Sequence, residues 1–396
     1  MSIPQLKKVL SKKTHLCIGL MSGTSMDGVD AALVRVNGAG TGTTLELLDG
    51  ISHPYPNGLK NRLHSLMNAD YIPLSEISQM NMLIGELFAD AAITLMRKCG
   101  TEANEVDLIG SHGQTFWHNP IEEKLFGRQI RSTLQLGEPS VIQARTGIVT
   151  VADFRMKDVA FGGEGAPLIP YFDYILLRSN IENRAALNIG GIANITVLPA
   201  KGPLEDVFAF DTGPGNMLID QLMMVLYKRE SDFDGFYARK SEPNKLLLQK
   251  MMQHRHIKKQ PPKSTGREVF GIRYVNKVQF WAERFKCKRE EIISTVTEYT
   301  AWSIYKNYEL FIKPEYPLNR IIVSGGGVHN TELFERVKFY FSPLKVESIE
   351  NYGIPPDIKE AVAFALFAHE TVLGNPIALQ KVTGAEQSGL CGKIVV

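Results

Sequence analysis

Apolar positions follow two rhythms along this chain. Short β-branched runs bounded by glycine alternate with stretches where apolar residues recur near every 3.6 positions. The runs at 16–36 and about 45–52 predict strands, and Leu74 to Phe88 predicts a helix. Val106–Gly110 reads as a buried strand that delivers Ser111-His-Gly-Gln-Thr115 at its carboxyl end. Ser140–Gly147 reads as a helix closed by glycine, and Ile148–Asp153 as the next strand. Strands return at 187–198 and Val207–Phe210, then a helix from Asn216 to Tyr227. Residues 229–275 are charged, proline-rich and irregular, the pattern of a lid or insertion. Helices resume over 276–312, before a strand at 321–324 and a helical stretch from Thr331. This alternation predicts an α/β protein with mixed or parallel sheets and helices on both faces.

Three breaks in the pattern carry candidate chemistry. Between the first two apolar runs lie Gly23, Thr24, Ser25, Met26, Asp27, Gly28, Val29 and Asp30, read as a strand, a polar glycine hairpin and a strand. Glycine lets the backbone approach a ligand closely, so successive N–H groups can converge on a phosphate. Thr24 and Ser25 add hydroxyls, and Asp27 and Asp30 can hold a hydrated Mg²⁺. No Gly-Lys-Ser/Thr follows, which excludes a Walker loop, and the strand that follows argues against a Rossmann turn. Taken alone, an ordinary hairpin explains the segment equally well. The device recurs, however, about one domain later, with Gly190, Gly191 and Asn194. A third glycine element, Gly325-Gly326-Gly327, joins a strand to a helix. The series predicts a duplicated α/β fold that grips a phosphate chain from both sides.

At 396 residues the chain exceeds a single hydrophobic core, so two domains are expected. Composition, 44% hydrophobic and 22% charged, is that of a soluble globular protein. A net charge of +2 gives no electrostatic reason for a nucleic-acid partner. Four scattered cysteines lack metal-ligand spacing. No signal peptide or apolar run of about 20 residues suggests a membrane. The expectation is a reduced, cytoplasmic enzyme.

Hairpin, hairpin, strand-Gly-Gly-Gly resembles the order of phosphate-1, phosphate-2 and adenosine motifs in the superfamily of actin, heat-shock chaperones and sugar kinases. Within it, Met21-Ser-Gly-Thr-Ser-Met-Asp-Gly-Val-Asp30, Ser111-His-Gly-Gln-Thr115, Ala152-Asp-Phe-Arg155 and Phe210-Asp-Thr-Gly-Pro-Gly-Asn216 resemble the 1,6-anhydro-N-acetylmuramic acid kinases. So do Pro262-Lys-Ser-Thr-Gly-Arg-Glu268 and Pro356-Asp-Ile-Lys-Glu-Ala361. The likeness extends from about residue 16 to about 375. It implies a duplicated actin-like (ribonuclease H-like) fold with a central nucleotide and sugar cleft. The implied domains are 1–183 and 184–396, the last helix being able to pack back on the first.

The resemblance also implies ATP and Mg²⁺, an amino-sugar substrate and a homodimer. A base activates water against the anomeric carbon, the 1,6 bridge opens, and O6 takes the γ-phosphoryl of ATP. The product is N-acetylmuramic acid 6-phosphate, in cell-wall recycling. Asp211 is the expected base, with Glu360 helping to hold the water. Asp211 is followed by Thr-Gly-Pro-Gly-Asn and a helix, whose dipole favours an ionised carboxylate; simple capping of that helix or turn is the competing reading. Asp153 is the second candidate, for base or sugar contact, against a salt bridge with Arg155 or Lys157. Arg155 offers a fork to the lactyl carboxylate, and His112, Gln114 and Thr115 form a polar substrate cluster. Asp27 is expected to reach the Mg²⁺ hydration shell. Gly162–Pro167 is expected to be a mobile turn over the sugar, and Lys263–Arg267 is ambiguous between lid surface and phosphate contact. Competing readings are a kinase of another hydroxylated small molecule, a nucleotide-driven chaperone or filament protein, and a glycoside hydrolase using Asp153 and Asp211.

Overall fold

The computed structural model describes residues 4–396 and divides them into two units, one of residues up to Leu176 together with Ile358–Val396, the other Leu177–Asp357. In the first, β1 (Thr14–Ser22), β2 (Gly28–Asn37) and β3 (Thr44–Pro54) form an antiparallel meander. Strand β4 (Leu108–Leu125) runs parallel beside β1, β5 (Arg128–Leu136) folds back on β4, and β6 (Thr150–Ala152) lies parallel on β4's other side. Helix α1 (Leu74–Cys99) links β3 to β4 and buries Ile84, Phe88 and Leu95 against the sheet. It stops at Gly100, which is left-handed, as glycine readily is. Helix α2 (Pro139–Thr146) starts where the Glu138 carboxylate accepts the Ser140 N–H at 3.1 Å.

The second unit repeats the plan. Strands β7 (Arg184–Ile189), β8 (Ile192–Leu198) and β9 (Phe208–Pro214) form a meander, with β10 (Arg320–Ser324) parallel to β7 and β11 (Lys345–Ser348) parallel to β10. The order β11-β10-β7-β8-β9 matches β6-β4-β1-β2-β3 strand for strand and direction for direction. This is the duplicated α/β fold expected from the two hairpins, of the ribonuclease H-like kind implied by the resemblance. Helices α3 (Met217–Tyr227), α4 (Arg289–Asn307) and α5 (Thr331–Phe341) pack on this sheet.

Three expectations need correction. Residues 229–275 are not a lid or insertion: Ala238, Leu247, Met251, Ile257, Phe270 and Val275 are buried in the second unit's core. Ser111–Thr115 do not form a loop after a strand; β4 continues through them. Asp211 likewise lies inside β9.

After β11 the chain returns to the first unit as α6 (Lys359–Val372), an almost fully buried helix. The sequence division at 183/184 allowed for the last helix to pack back on the first domain. Its placement follows from two glycines. Gly19 in β1 and Gly110 in β4 are register partners. A Cβ at Gly19 would lie 1.8 Å from the Ala361 carbonyl oxygen, and one at Gly110 would lie 2.0 Å from that of Phe364. The missing side chains form a trough for the helix backbone. Among the described residues no helix is long and apolar enough to cross a membrane.

Candidate active site

The first hairpin is braced from beneath. The Ser22 hydroxyl lies 2.7 Å from both the Gly28 carbonyl and Gln114 Oε1, while Gln114 Nε2 donates to the Gly23 carbonyl at 3.2 Å. Gln114 is 1% exposed, so its side chain is a strut of the hairpin. Thr115 stands beside it and accepts from Gln135 Nε2 at 3.5 Å. The hairpin residues divide by direction. Thr24, Ser25 and Asp27 are exposed at the tip, with Ser25 donating to Asp27 at 2.7 Å. Met26 and Val29 point into the core, Gly28 admits the His53 carbonyl, and Asp30 accepts from Ser52 at 2.5 Å.

In the second unit, Gly190 and Gly191 turn between β7 and β8. Their carbonyls accept the N–H groups of Gly215, Asn216 and Met217 at 2.8–3.0 Å, which fastens the turn to the start of α3. Neither glycine has a positive φ. A Cβ at either position would meet only ordinary contacts, 3.6 Å or longer. Gly23 and Gly326 are equally open, their nearest neighbours standing 3.9–4.0 Å away. Neither backbone conformation nor packing therefore requires glycine at these four positions, and the backbone there is open to close approach. The triple glycine divides on the same criterion. Gly325 has a φ of +81° and would crowd Asn188, and a Cβ on Gly327 would lie 2.4 Å from Ile189, so these two serve the fold.

Asp211 stands opposite Asn194 across β8 and β9. Its backbone and carboxylate are both engaged by the 256–265 segment. The Asp211 N–H donates to the Lys263 carbonyl at 3.0 Å, and the Thr265 N–H donates to Asp211 Oδ2 at 2.8 Å. His256 Nε2 reaches the Asp211 carbonyl at 3.1 Å. Asp211 lies within β9 rather than at its end, the Gly215, Asn216 and Met217 amides hold the glycine turn, and the Thr265 amide donates to the Asp211 carboxylate. The sequence motif containing Lys263 and Thr265 was visible, but its partner could not be read from spacing. Lys263 is buried, with Nζ donating to the His256 carbonyl at 3.0 Å and lying over the Phe311 ring. Burial, reinforced by Lys259, lowers its pKa to about 8.

In the first unit β4, α6 and the segment after β6 bring together His112, Arg155 and Glu360. Arg155 Nε donates to His112 Nε2 at 3.0 Å, and His112 Nδ1 pairs with the Gly113 carbonyl. Because Arg only donates, His112 Nε2 is the acceptor and Nδ1 carries the proton. Burial, then the Arg155 charge, holds the His112 pKa well below its usual range. Burial lowers that of Arg155 to about 10, with Glu360 opposing the change. Burial raises the Glu360 pKa, and Arg155 and Lys359 pull it back. The terminal nitrogens of Arg155 have no hydrogen-bond partner among the described residues, leaving a fork for an anion.

Asp153 has a left-handed φ of 57°, and its carboxylate lies 2.7 Å from Lys393. The partner is neither Arg155 nor Lys157, the two cations considered from sequence. The Gly162–Pro167 turn is also less free than expected. The Gly165 N–H donates to Asp158 at 2.8 Å, and the Glu164 N–H donates to the Thr383 carbonyl at 2.8 Å. Among the described residues no three His, Cys, Asp or Glu side chains gather as a metal site.

A family profile described as anhydro-N-acetylmuramic acid kinase matches residues 15–396. The chain is 45% identical to the anhydro-N-acetylmuramic acid kinase of Caldanaerobacter subterraneus subsp. tengcongensis, over 98% of this chain and 99% of that one. It is 40% identical to that of Salinibacter ruber, covering 96% of each, and 41% identical to that of Bacillus cereus strain G9842, covering 95% and 98%. The chain belongs to the anhydro-N-acetylmuramic acid kinase family.

Proposed function

We propose that this kinase opens the 1,6-anhydro bridge of 1,6-anhydro-N-acetylmuramic acid with water and transfers the γ-phosphoryl of ATP to O6. The products are N-acetylmuramic acid 6-phosphate and ADP, in cell-wall recycling. The observation that carries this reading is the set of four open glycines, Gly23, Gly190, Gly191 and Gly326, in a chain of this family. They form the backbone surfaces for ATP, with Thr24, Ser25 and Asn194 as polar neighbours. Asp27 is the exposed carboxylate that fits an Mg²⁺ hydration shell, since that ion keeps several waters and needs only one or two carboxylates. When bound, Mg²⁺ neutralises phosphate charge.

Asp211 takes the proton from the attacking water, and its hydrogen bond from Thr265 fixes the carboxylate in one orientation. Glu360 helps to hold that water. Arg155, oriented by His112, offers its fork to the lactyl carboxylate, a geometry that lysine lacks. Gln114 acts indirectly by bracing the first hairpin. The functional assembly is a homodimer, which sedimentation tests, and the compartment is the cytoplasm.

The deciding experiment is turnover of 1,6-anhydro-N-acetylmuramic acid with ATP in water labelled with heavy oxygen. The label is expected at the anomeric hydroxyl of the 6-phosphate product. Unlabelled product, or label in the phosphate, would refute hydrolytic opening of the bridge.

A further inference from the structure

The Pro262–Glu268 motif has a structural partner but, so far, no task of its own. Its central residue, Thr265, is tied to Asp211 by the 2.8 Å hydrogen bond from its main-chain N–H to Oδ2. Two further contacts hold the same stretches together, Asp211 N–H to the Lys263 carbonyl and His256 Nε2 to the Asp211 carbonyl. The relation between the Thr265 backbone and the carboxylate is therefore set from three directions.

The Thr265 side chain is a separate observation. Its hydroxyl oxygen is shielded from solvent and has no hydrogen-bond partner in the protein. A hydroxyl in that condition is less favourable than the nearly isosteric valine, because a buried polar group without a partner loses its hydration and gains nothing. Its place next to an engaged carboxylate gives the hydroxyl a direct use. It can both donate and accept, whereas the main-chain N–H beside it is already committed.

The charge around it narrows the ligand. Asp211 must be ionised to act as a base, so a phosphate oxygen beside Thr265 would face a like charge. The Lys263 ammonium interacts with the Asp211 charge, but its hydrogen bonds go to the His256 and Ile257 carbonyls at 3.0 and 3.4 Å, so it offers a phosphate oxygen no free donor there. An uncharged hydroxyl, ether or amide oxygen of a sugar meets no such repulsion. We propose that Thr265 is a sugar-contacting residue: its N–H fixes Oδ2 of Asp211, and its hydroxyl hydrogen-bonds an uncharged oxygen of the amino sugar on which Asp211 acts. The proposal rests on Asp211 being the base. It adds a specificity contact that substrate and carboxylate share.

The test uses the full chain with Thr265→Val, Thr265→Ser and Thr265→Ala, each also combined with Asp211→Asn. All three retain the main-chain N–H, so each isolates the hydroxyl. Calorimetric titration with 1,6-anhydro-N-acetylmuramic acid in the Asp211→Asn background reads sugar affinity without turnover. Thr265→Val is expected to weaken it by about 3- to 13-fold, and Thr265→Ser to stay within about twofold, the range for one neutral hydrogen bond. ATP affinity and the pH of the acid limb of kcat should stay unchanged. Should Thr265→Val fail to fold by its melting curve, Ser against Ala carries the same comparison. Sugar affinity in Thr265→Val equal to wild type overturns the proposal, as does Thr265→Ser impaired as much as Thr265→Val. A loss that falls on ATP instead also overturns it. Full turnover in Asp211→Asn alone would refute the base assignment, and the binding comparison would still decide the Thr265 contact.

Discussion

The carboxylate of Asp153 lies 2.7 Å from Lys393, which occupies the C-terminal strand paired to β6. Asp153 and Asp211 are both candidates for the base, and their surroundings differ. Asp153 is held by a cation that is itself 66% exposed, whereas Asp211 is held by a main-chain amide. An exposed ion pair contributes about 0–1 kcal/mol. Asp153→Asn is therefore expected to leave turnover near wild type and lower stability only slightly. Asp211→Asn should reduce kcat by about 10²–10⁴-fold, the usual loss of a general base, with substrate binding changed far less. Steady-state kinetics on the pair checks this, and the reverse pattern would exchange the two roles.

Substitution separates the glycines that serve ligand from those that serve fold. Gly190→Ala, Gly191→Ala and Gly326→Ala meet no close protein atom and should unfold near the wild-type denaturant concentration. If these glycines face the nucleotide as proposed, each should nevertheless weaken ATP binding in a calorimetric titration. Gly325→Ala and Gly327→Ala are expected to behave differently, losing about 1–3 kcal/mol of stability from strain and overpacking. Unchanged ATP affinity in all three of the first set would end the backbone-cradle account.

The trough beneath α6 makes a third prediction. Gly19→Ala and Gly110→Ala each put a methyl within 2.0 Å of a helix carbonyl oxygen and should cost at least about 1–3 kcal/mol. Activity should fall with stability, since Glu360 stands on the first turn of the displaced helix. Gly42→Ala, where a Cβ meets nothing, is the matched neutral control. Urea unfolding monitored by tryptophan fluorescence distinguishes them.

Stability should also decline as the solution is acidified from about pH 6.5 to 4. Burial lowers the pKa values of His118, His254, His256 and His369 to about 4 in the folded chain, against about 6.5 when unfolded. In that window the unfolded state binds more protons, so acid favours it. Asp220 works in the opposite sense. Its pKa is raised to about 7, chiefly by burial, so acid favours its folded form. Four histidines outweigh it, and the net slope should be positive with pH. Lys263 adds a gain between about pH 8 and its unfolded range, as the buried ammonium is relieved of its charge. Equilibrium unfolding across pH measures both limbs; a flat acid limb would contradict the buried neutral histidines.

Local features of the sequence were legible because their causes are local. Glycines between β-branched runs announced both hairpins, and the rhythm near Leu74–Phe88 announced α1. The contacts that define the site have no such local signal. Thr265 and Asp211 are 54 positions apart, and Lys393 and Asp153 are 240 apart. Gln114 looked like a substrate ligand because a buried amide strut and a binding amide have the same composition. Residues 229–275 looked like an insertion because short 3₁₀ turns and brief helices lack a sustained period, although their scattered apolar side chains fill a core. The triple glycine concealed a division of labour that only φ values and neighbouring atoms reveal.

The late return of α6 imposes an order on synthesis. The first unit is begun by the first strands to emerge from the ribosome, yet the helix that covers Gly19 and Gly110 emerges only after the whole second unit has been made. Until then the sheet carries an uncovered apolar trough, and the second unit, continuous in sequence, is the one able to finish folding first. A nascent chain halted near residue 357 would hold both glycine hairpins and Asp211 but lack Glu360. On the proposed roles, the hairpins meant for phosphate exist before Glu360 does, and a chain halted there is expected to be inactive.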